Sequence, residues 1–143
     1  MVPEINYWAV LIATASSMVV GSVWYAPKVF GTRWAKLADV DMDRPGASAV
    51  VPILITVVVS FITAWVLAGA TAIAWHFYGG GFLLSALVTA VTLWAGFTAA
   101  RFITHDVFEG RPSSLTLLNI AHEVVTVLVM AVIIGVWPPA GTV

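Results

Sequence analysis

Three polar side chains interrupt the apolar run LTLLNIAHEVVTVLVMAVIIGVW, residues 115–137: Asn119, His122 and Glu123. At spacings i, i+3 and i+4 they share one helical face. An amide, an imidazole and a carboxylate so placed can pass a proton, hold a cation or hydrogen-bond to another helix. With the helix starting at Ser113 or Ser114 and a serine as its cap, Glu123 lies about 13 Å along it at 1.5 Å per residue. An ionisable group at that depth in hydrocarbon costs about 2.5–3.5 kcal/mol, turns toward protein or water, and is a functional hypothesis by default. Thr89, Thr92, Ser16 and Ser17 are candidate partners for a purely structural hydrogen bond.

A second polar group follows the third apolar run: His105, Asp106 and Glu109, flanked by Arg101 and Arg111. In FEGRP, Glu109 and Arg111 can pair across Gly110, and Pro112 separates two helices. With Arg33 and Lys36, the two arginines are candidates for lipid-headgroup contact. His105, Asp106 and Glu109 together with His122 hold metal-ligand atoms, but no H-E-x-x-H or comparable spacing occurs and His122 lies two turns deeper. The expectation is no metal and no cofactor. No nucleophile–base pair or glycine-rich phosphate loop is visible, so no catalytic residue is assigned and no enzyme is expected.

These residues need an apolar solvent around them. Of 143 residues, 61% are hydrophobic and 9% charged, with a mean hydropathy of +1.01. A soluble domain is nearer a quarter charged. The chain therefore reads as a single all-α domain over residues 1–143, a polytopic membrane protein. The net charge of −1 makes nucleic acid an unsuitable partner. The absence of cysteine excludes disulfides and thiolate chemistry.

Four runs are long enough to cross a bilayer: about 5–26, 51–78, 82–104 and 115–137. No Lys or Arg precedes the first, so it reads as a retained span rather than a signal peptide. Lys28, Arg33, Lys36, Arg44, Arg101 and Arg111 all fall on one side. The positive-inside rule makes that side, with loops 27–50 and 105–114, cytoplasmic, and both termini external. Tyr7, Trp8, Trp24, Tyr25, Trp75, Tyr78 and Trp137 mark span ends as interfacial anchors; Trp65 and Trp94 lie within spans and suit packing between helices.

Between the first two spans, Phe30, Trp34 and Leu37 recur at helical spacing with Arg33 and Lys36 off that face. This predicts a short amphipathic helix in the interface. Asp39, Asp41 and Asp43 resemble the start of a calcium loop, but Arg44 and Val50 stand where Gly and Glu are required, so a solvated acidic loop is expected. Small residues four apart predict packing stripes: Ala9, Ala13, Ser17 and Gly21; Ser60, Ala64, Ala68 and Ala72; and Ser85 and Thr89, then Thr92, Gly96 and Ala99.

Several motifs point to one family. NYWAV opens the first span, GSVWYAPKVFGTRW covers residues 21–34, WAGF lies at 94–97, FEGRPSSLTLLN at 108–119 and IIGVW at 133–137. In this order the chain resembles the bacterial family called domain of unknown function 1761, over roughly residues 6–137. The resemblance implies a small four-helix protein of the bacterial plasma (inner) membrane and no established activity. His122 and Glu123 depart from the family pattern, which implies an aromatic or apolar residue there.

The functional expectation is a homo-oligomeric scaffold or accessory subunit, in contact with membrane lipids and open to a larger membrane complex. The alternative is a small proton- or ion-coupled permeation unit using the Asn119–His122–Glu123 face.

Overall fold

The computed structural model describes residues 3–41 and 50–142. Asp43 and Arg44, which enter the acidic-loop and charge-sidedness arguments, lie outside the described residues. The described chain is helical, and four helices are long and apolar enough to cross a membrane. The protein is therefore a multi-pass membrane protein, with its polar backbone groups paired inside helices as hydrocarbon demands.

Helix α1 covers Tyr7–Trp24. Asn6 caps it by accepting from the Trp8 and Ala9 amides at 3.1 and 3.3 Å. The same side chain donates to the Trp137 carbonyl at 3.2 Å, tying the start of α1 to the end of the last helix. The helix stops because Pro27 forces Ala26 into an extended conformation (φ −62°, ψ 140°). A π-helical turn, Pro27–Gly31, follows. A side chain at Gly31 would meet the Tyr25 carbonyl, so only glycine permits this turn. Helix α2, Thr32–Ala38, then runs to Asp39, whose left-handed backbone (φ 54°) ends it. Trp34 and Leu37 are half-buried while Arg33 and Lys36 are exposed, as the amphipathic spacing predicts.

Helix α3 is Val50–Tyr78 and α4 is Phe82–Phe108. Gly79 and Gly80, both at positive φ, make the turn between them, and the Trp75 indole donates to the Gly80 carbonyl at 2.9 Å. Helix α5, Ser113–Val136, follows a turn at Gly110 (φ 66°). Its N-terminus is preceded by Pro112 with no side-chain cap, so neither serine has the capping role expected. The third span is longer than 82–104 because a π-helical stretch at Trp94–Ala99 is absorbed within it and the helix continues to Phe108.

Helix α1 packs on α3 and α5, and α4 also packs on α3 and α5. The core comprises Val10, Ala13, Ala64, Leu67, Ala68, Phe82, Ala86, Ala90, Met130, Ala131 and Ile134. Helices in lipid gain little from hydrophobic exclusion, so close approach of backbones must hold them together. Among the glycines within the spans, the tightest approach to another helix is at Gly135, where an added Cβ would lie 2.7 Å from Leu83 Cδ1 and 2.8 Å from its Cα.

Of two predicted stripes, Ala9, Ala13 and Ser17 of α1 and Ala64, Ala68 and Ala72 of α3 are buried, whereas Gly21 and Ser60 are half-buried and line a cleft. The α4 stripe is different. Phe82, Ala86 and Ala90 face the core, whereas Thr92 and Gly96 are exposed and nothing lies within 4 Å of a Cβ built on Gly96. Thr92 is exposed before the π-helical stretch begins, and of this stripe only Ala99, at the end of that stretch, is buried. Trp65 is likewise 45% exposed and faces outward. Trp94 packs as expected, donating to the Ile120 carbonyl of α5 at 3.0 Å.

Candidate functional site

His122 and Glu123 sit on α5 about 15 Å from its first residue at 1.5 Å per residue. The imidazole is enclosed, with a side chain 14% exposed; the carboxylate is 36% exposed. His122 Nδ1 lies 3.4 Å from Glu123 Oε1. The end of α1 builds the enclosure. The Trp24 and Tyr25 rings lie 5.8 and 4.9 Å from the imidazole, centroid to centroid. Phe30 packs on Trp24 at 4.6 Å, and Trp34 on Tyr25 at 5.3 Å. Thus the π-turn and α2 fold back and brace the aromatic cover. Trp24 and Tyr25 are more than interfacial anchors: they wall in His122. Gly21 of α1 lies beside the imidazole, and a Cβ there would make an ordinary van der Waals contact with His122 Nε2 at 3.8 Å.

Hydrogen bonding constrains the imidazole. The Thr126 hydroxyl donates to the His122 carbonyl at 2.9 Å, which commits its single proton. Its oxygen, 3.4 Å from Nε2, then accepts from a protonated Nε2. That leaves Nδ1 facing Glu123.

Beside the pair lies a cleft of about 550 Å³ between α1, α3 and α5. Ser17, Ser60, Thr56 and Thr63 line it together with His122 and Glu123. It exists because residues 50–59 of α3 stand away from the bundle, exposed at every position, while the second half of α3 is packed. The hydroxyls are oriented by their own helices. Ser17 donates to the Thr14 carbonyl at 2.7 Å, Thr56 to Pro52 at 2.8 Å and Thr63 to Val59 at 3.0 Å. With those three protons spent, Ser17, Thr56 and Thr63 present oxygen lone pairs to the cleft beside the Glu123 carboxyl group.

Asn119 does not join this cleft. It lines a second cavity of about 450 Å³ with Arg101, His105, Asp106, Glu109 and Arg111. The three polar residues share a face of α5, but the helix has different neighbours at the two depths: the end of α4 beside Asn119, and α1 and α3 beside the pair. Asp106 is buried and accepts from the Thr116 hydroxyl at 2.6 Å. Arg111 Nε lies 2.6 Å from Glu109 and 3.9 Å from Asp106. The hydrogen bond that Arg111 donates to Glu109 holds its guanidinium pKa above the usual value. Arg33 and Lys36 line neither cavity. His105 and His122 open onto different cavities, and among the described residues no three His, Asp or Glu side chains converge as metal ligands would.

Sequence reasoning missed Thr116, Thr126, Tyr25 and Gly135 as parts of these sites and contacts. Thr126 carried a signal, since it lies four residues beyond His122 and thus on the same face.

The fold and both cavities belong to a four-span helical membrane protein. The chain is a member of the family described as protein of unknown function (DUF1761), which matches residues 8–135. No curated protein and no solved structure matches it.

Proposed function

We propose that the cleft between α1, α3 and α5 is a proton- or cation-binding site and that the protein works as a small permeation unit built on it. The observation that carries this reading is the chemistry of the walls. Three hydroxyls whose protons are committed to their own helices line the cleft with a carboxyl group that lies 3.4 Å from an imidazole. Oxygen lone pairs beside a carboxyl group favour positive charge at that wall. In this reading Glu123 takes up the proton or cation from the cleft, and His122, held by Thr126 and the aromatic cover, exchanges the proton with it. The basic end faces the cytoplasm of a bacterial inner membrane, and both termini are outside.

The test is proton flux into pyranine-loaded proteoliposomes under an imposed membrane potential. Wild-type protein is expected to acidify the lumen, and Glu123→Gln to reduce the rate at least about tenfold, the usual consequence of losing a functional proton carrier. Equal flux from Glu123→Gln, reconstituted to the same level, rejects the reading.

One observation favours a second reading, a homo-oligomeric scaffold or accessory subunit. The apolar residues 50–59 of α3, at the mouth of the cleft, are exposed throughout and offer a face that a second copy would cover. Mass measurement in nanodiscs distinguishes the two. A dimer or larger assembly that survives Glu123→Gln, without flux in the wild type, favours the scaffold.

A further inference from the structure

The second cavity, between the end of α4 and the start of α5, is independent of the Glu123 cleft. Its charges are unequally engaged. Glu109 is taken by Arg111 at 2.6 Å, and Asp106 by the Thr116 hydroxyl at 2.6 Å. The side chains of Arg101 and His105 line the same space and have no hydrogen-bond or ion-pair partner among the described residues. They are one helical turn apart on α4. The cavity therefore pairs its carboxylates internally and leaves cationic and neutral donors, Arg101, His105 and Asn119, directed at its open volume.

Depth points to the ligand. The rise from Phe82 to Arg101 is about 29 Å at 1.5 Å per residue, close to the hydrocarbon thickness of about 30 Å. This puts Arg101 at the level of lipid phosphates. One turn toward the hydrocarbon stands Phe97, 75% exposed and lining the same cavity. A charged wall at phosphate depth above an apolar ring in the acyl region matches an amphiphile with a phosphate head. A soluble anion has no use for Phe97.

We propose that this cavity binds the phosphate of a phospholipid, with Arg101 as the principal cation, His105 and Asn119 as further donors, and Phe97 against an acyl chain. Arg33 and Lys36, exposed on α2, lie outside it and attract lipid only through unspecific charge.

Native mass spectrometry of the full-length protein in detergent tests this with dioleoyl phosphatidylglycerol as the probe and dioleoylglycerol, which lacks the phosphate, as its counterpart. The phospholipid is expected to stay bound to the wild type and to Arg33→Gln, and the diacylglycerol to be lost. Arg101→Gln should lower retention about tenfold, the scale of a lost hydrogen bond to a charged group. Arg101→Lys should retain more than half, and His105→Ala should fall between. Helical circular dichroism checks that each variant is folded; if Arg101→Gln is not, Arg101→Lys and His105→Ala carry the test. Equal retention by the folded Arg101 and His105 variants overturns the proposal. So does a matching loss in Arg33→Gln, which marks unspecific charge. Displacement of the lipid by excess inorganic phosphate would assign the cavity to a soluble phosphate instead.

Discussion

The two halves of this bundle solve the problem of helix association differently. At the end that holds both termini, small residues align: Ala13, Ala64, Ala68, Ala86, Ala131 and Gly135 let the backbones nest. Asn6 ties α1 to the end of α5. At the basic end α3 stands apart over residues 50–59, and both polar cavities are found there. The lesson is that in lipid apolar character alone does not bring helices together. Residues 50–59 are among the most apolar in the chain and remain exposed because lipid solvates them as well as protein would. Small residues let the helices nest in one half, and the divergence of residues 50–59 leaves the Glu123 cleft open in the other.

Substitutions can break or sharpen this contrast. The largest stability effect is expected from Gly135→Leu, which drives a side chain into the Leu83 backbone. It should cost about 3 kcal/mol, the upper part of the usual overpacking range, read from the unfolding midpoint in mixed micelles. Thr116→Val removes the hydroxyl that satisfies buried Asp106 and should cost about 1.5–3 kcal/mol in the same assay. Trp94→Phe deletes one hydrogen bond to the Ile120 carbonyl and should cost about 1 kcal/mol. Ser60→Leu extends into the open cleft. Its stability should change by less than about 1 kcal/mol, because no packed neighbour is displaced, while proton flux through the cleft should fall to background. The smallest effect is expected for Gly96→Leu, within about 0.5 kcal/mol, since nothing occupies that side of α4. A large loss there would mean that the exposed π-helical face is covered by another chain, and the contrast between the halves would need redrawing.

Much of the architecture was legible in residue order. Uninterrupted apolar runs announced the spans, the three glycines at 79–81 the turn, and Phe30, Trp34 and Leu37 the short helix α2. The α1 and α3 stripes were legible because they lie in straight helices where four-residue spacing keeps one face. The α4 stripe was not: Thr92 and Gly96 are exposed, while the core is met by Phe82, Ala86 and Ala90, and of the stripe only Ala99 is buried. Asn119 was misgrouped for a related reason. Spacing determines which residues share a helix face, but not which neighbour stands opposite at each depth.

The amino-acid order by itself therefore determined the number of spans, their approximate limits and the presence of a carboxylate and an imidazole deep in the last one. These follow from hydrophobic length and helical rise, which are local properties. Only the tertiary structure decided that Trp24 and Tyr25 cover His122, that Glu123 opens onto a cleft while Asn119 joins Arg101 and His105, and that Gly135 packs directly against Leu83. Those outcomes depend on where α3 diverges and where α4 crosses α5. Both are set by side-chain shape between segments distant in the chain, and no local pattern records them.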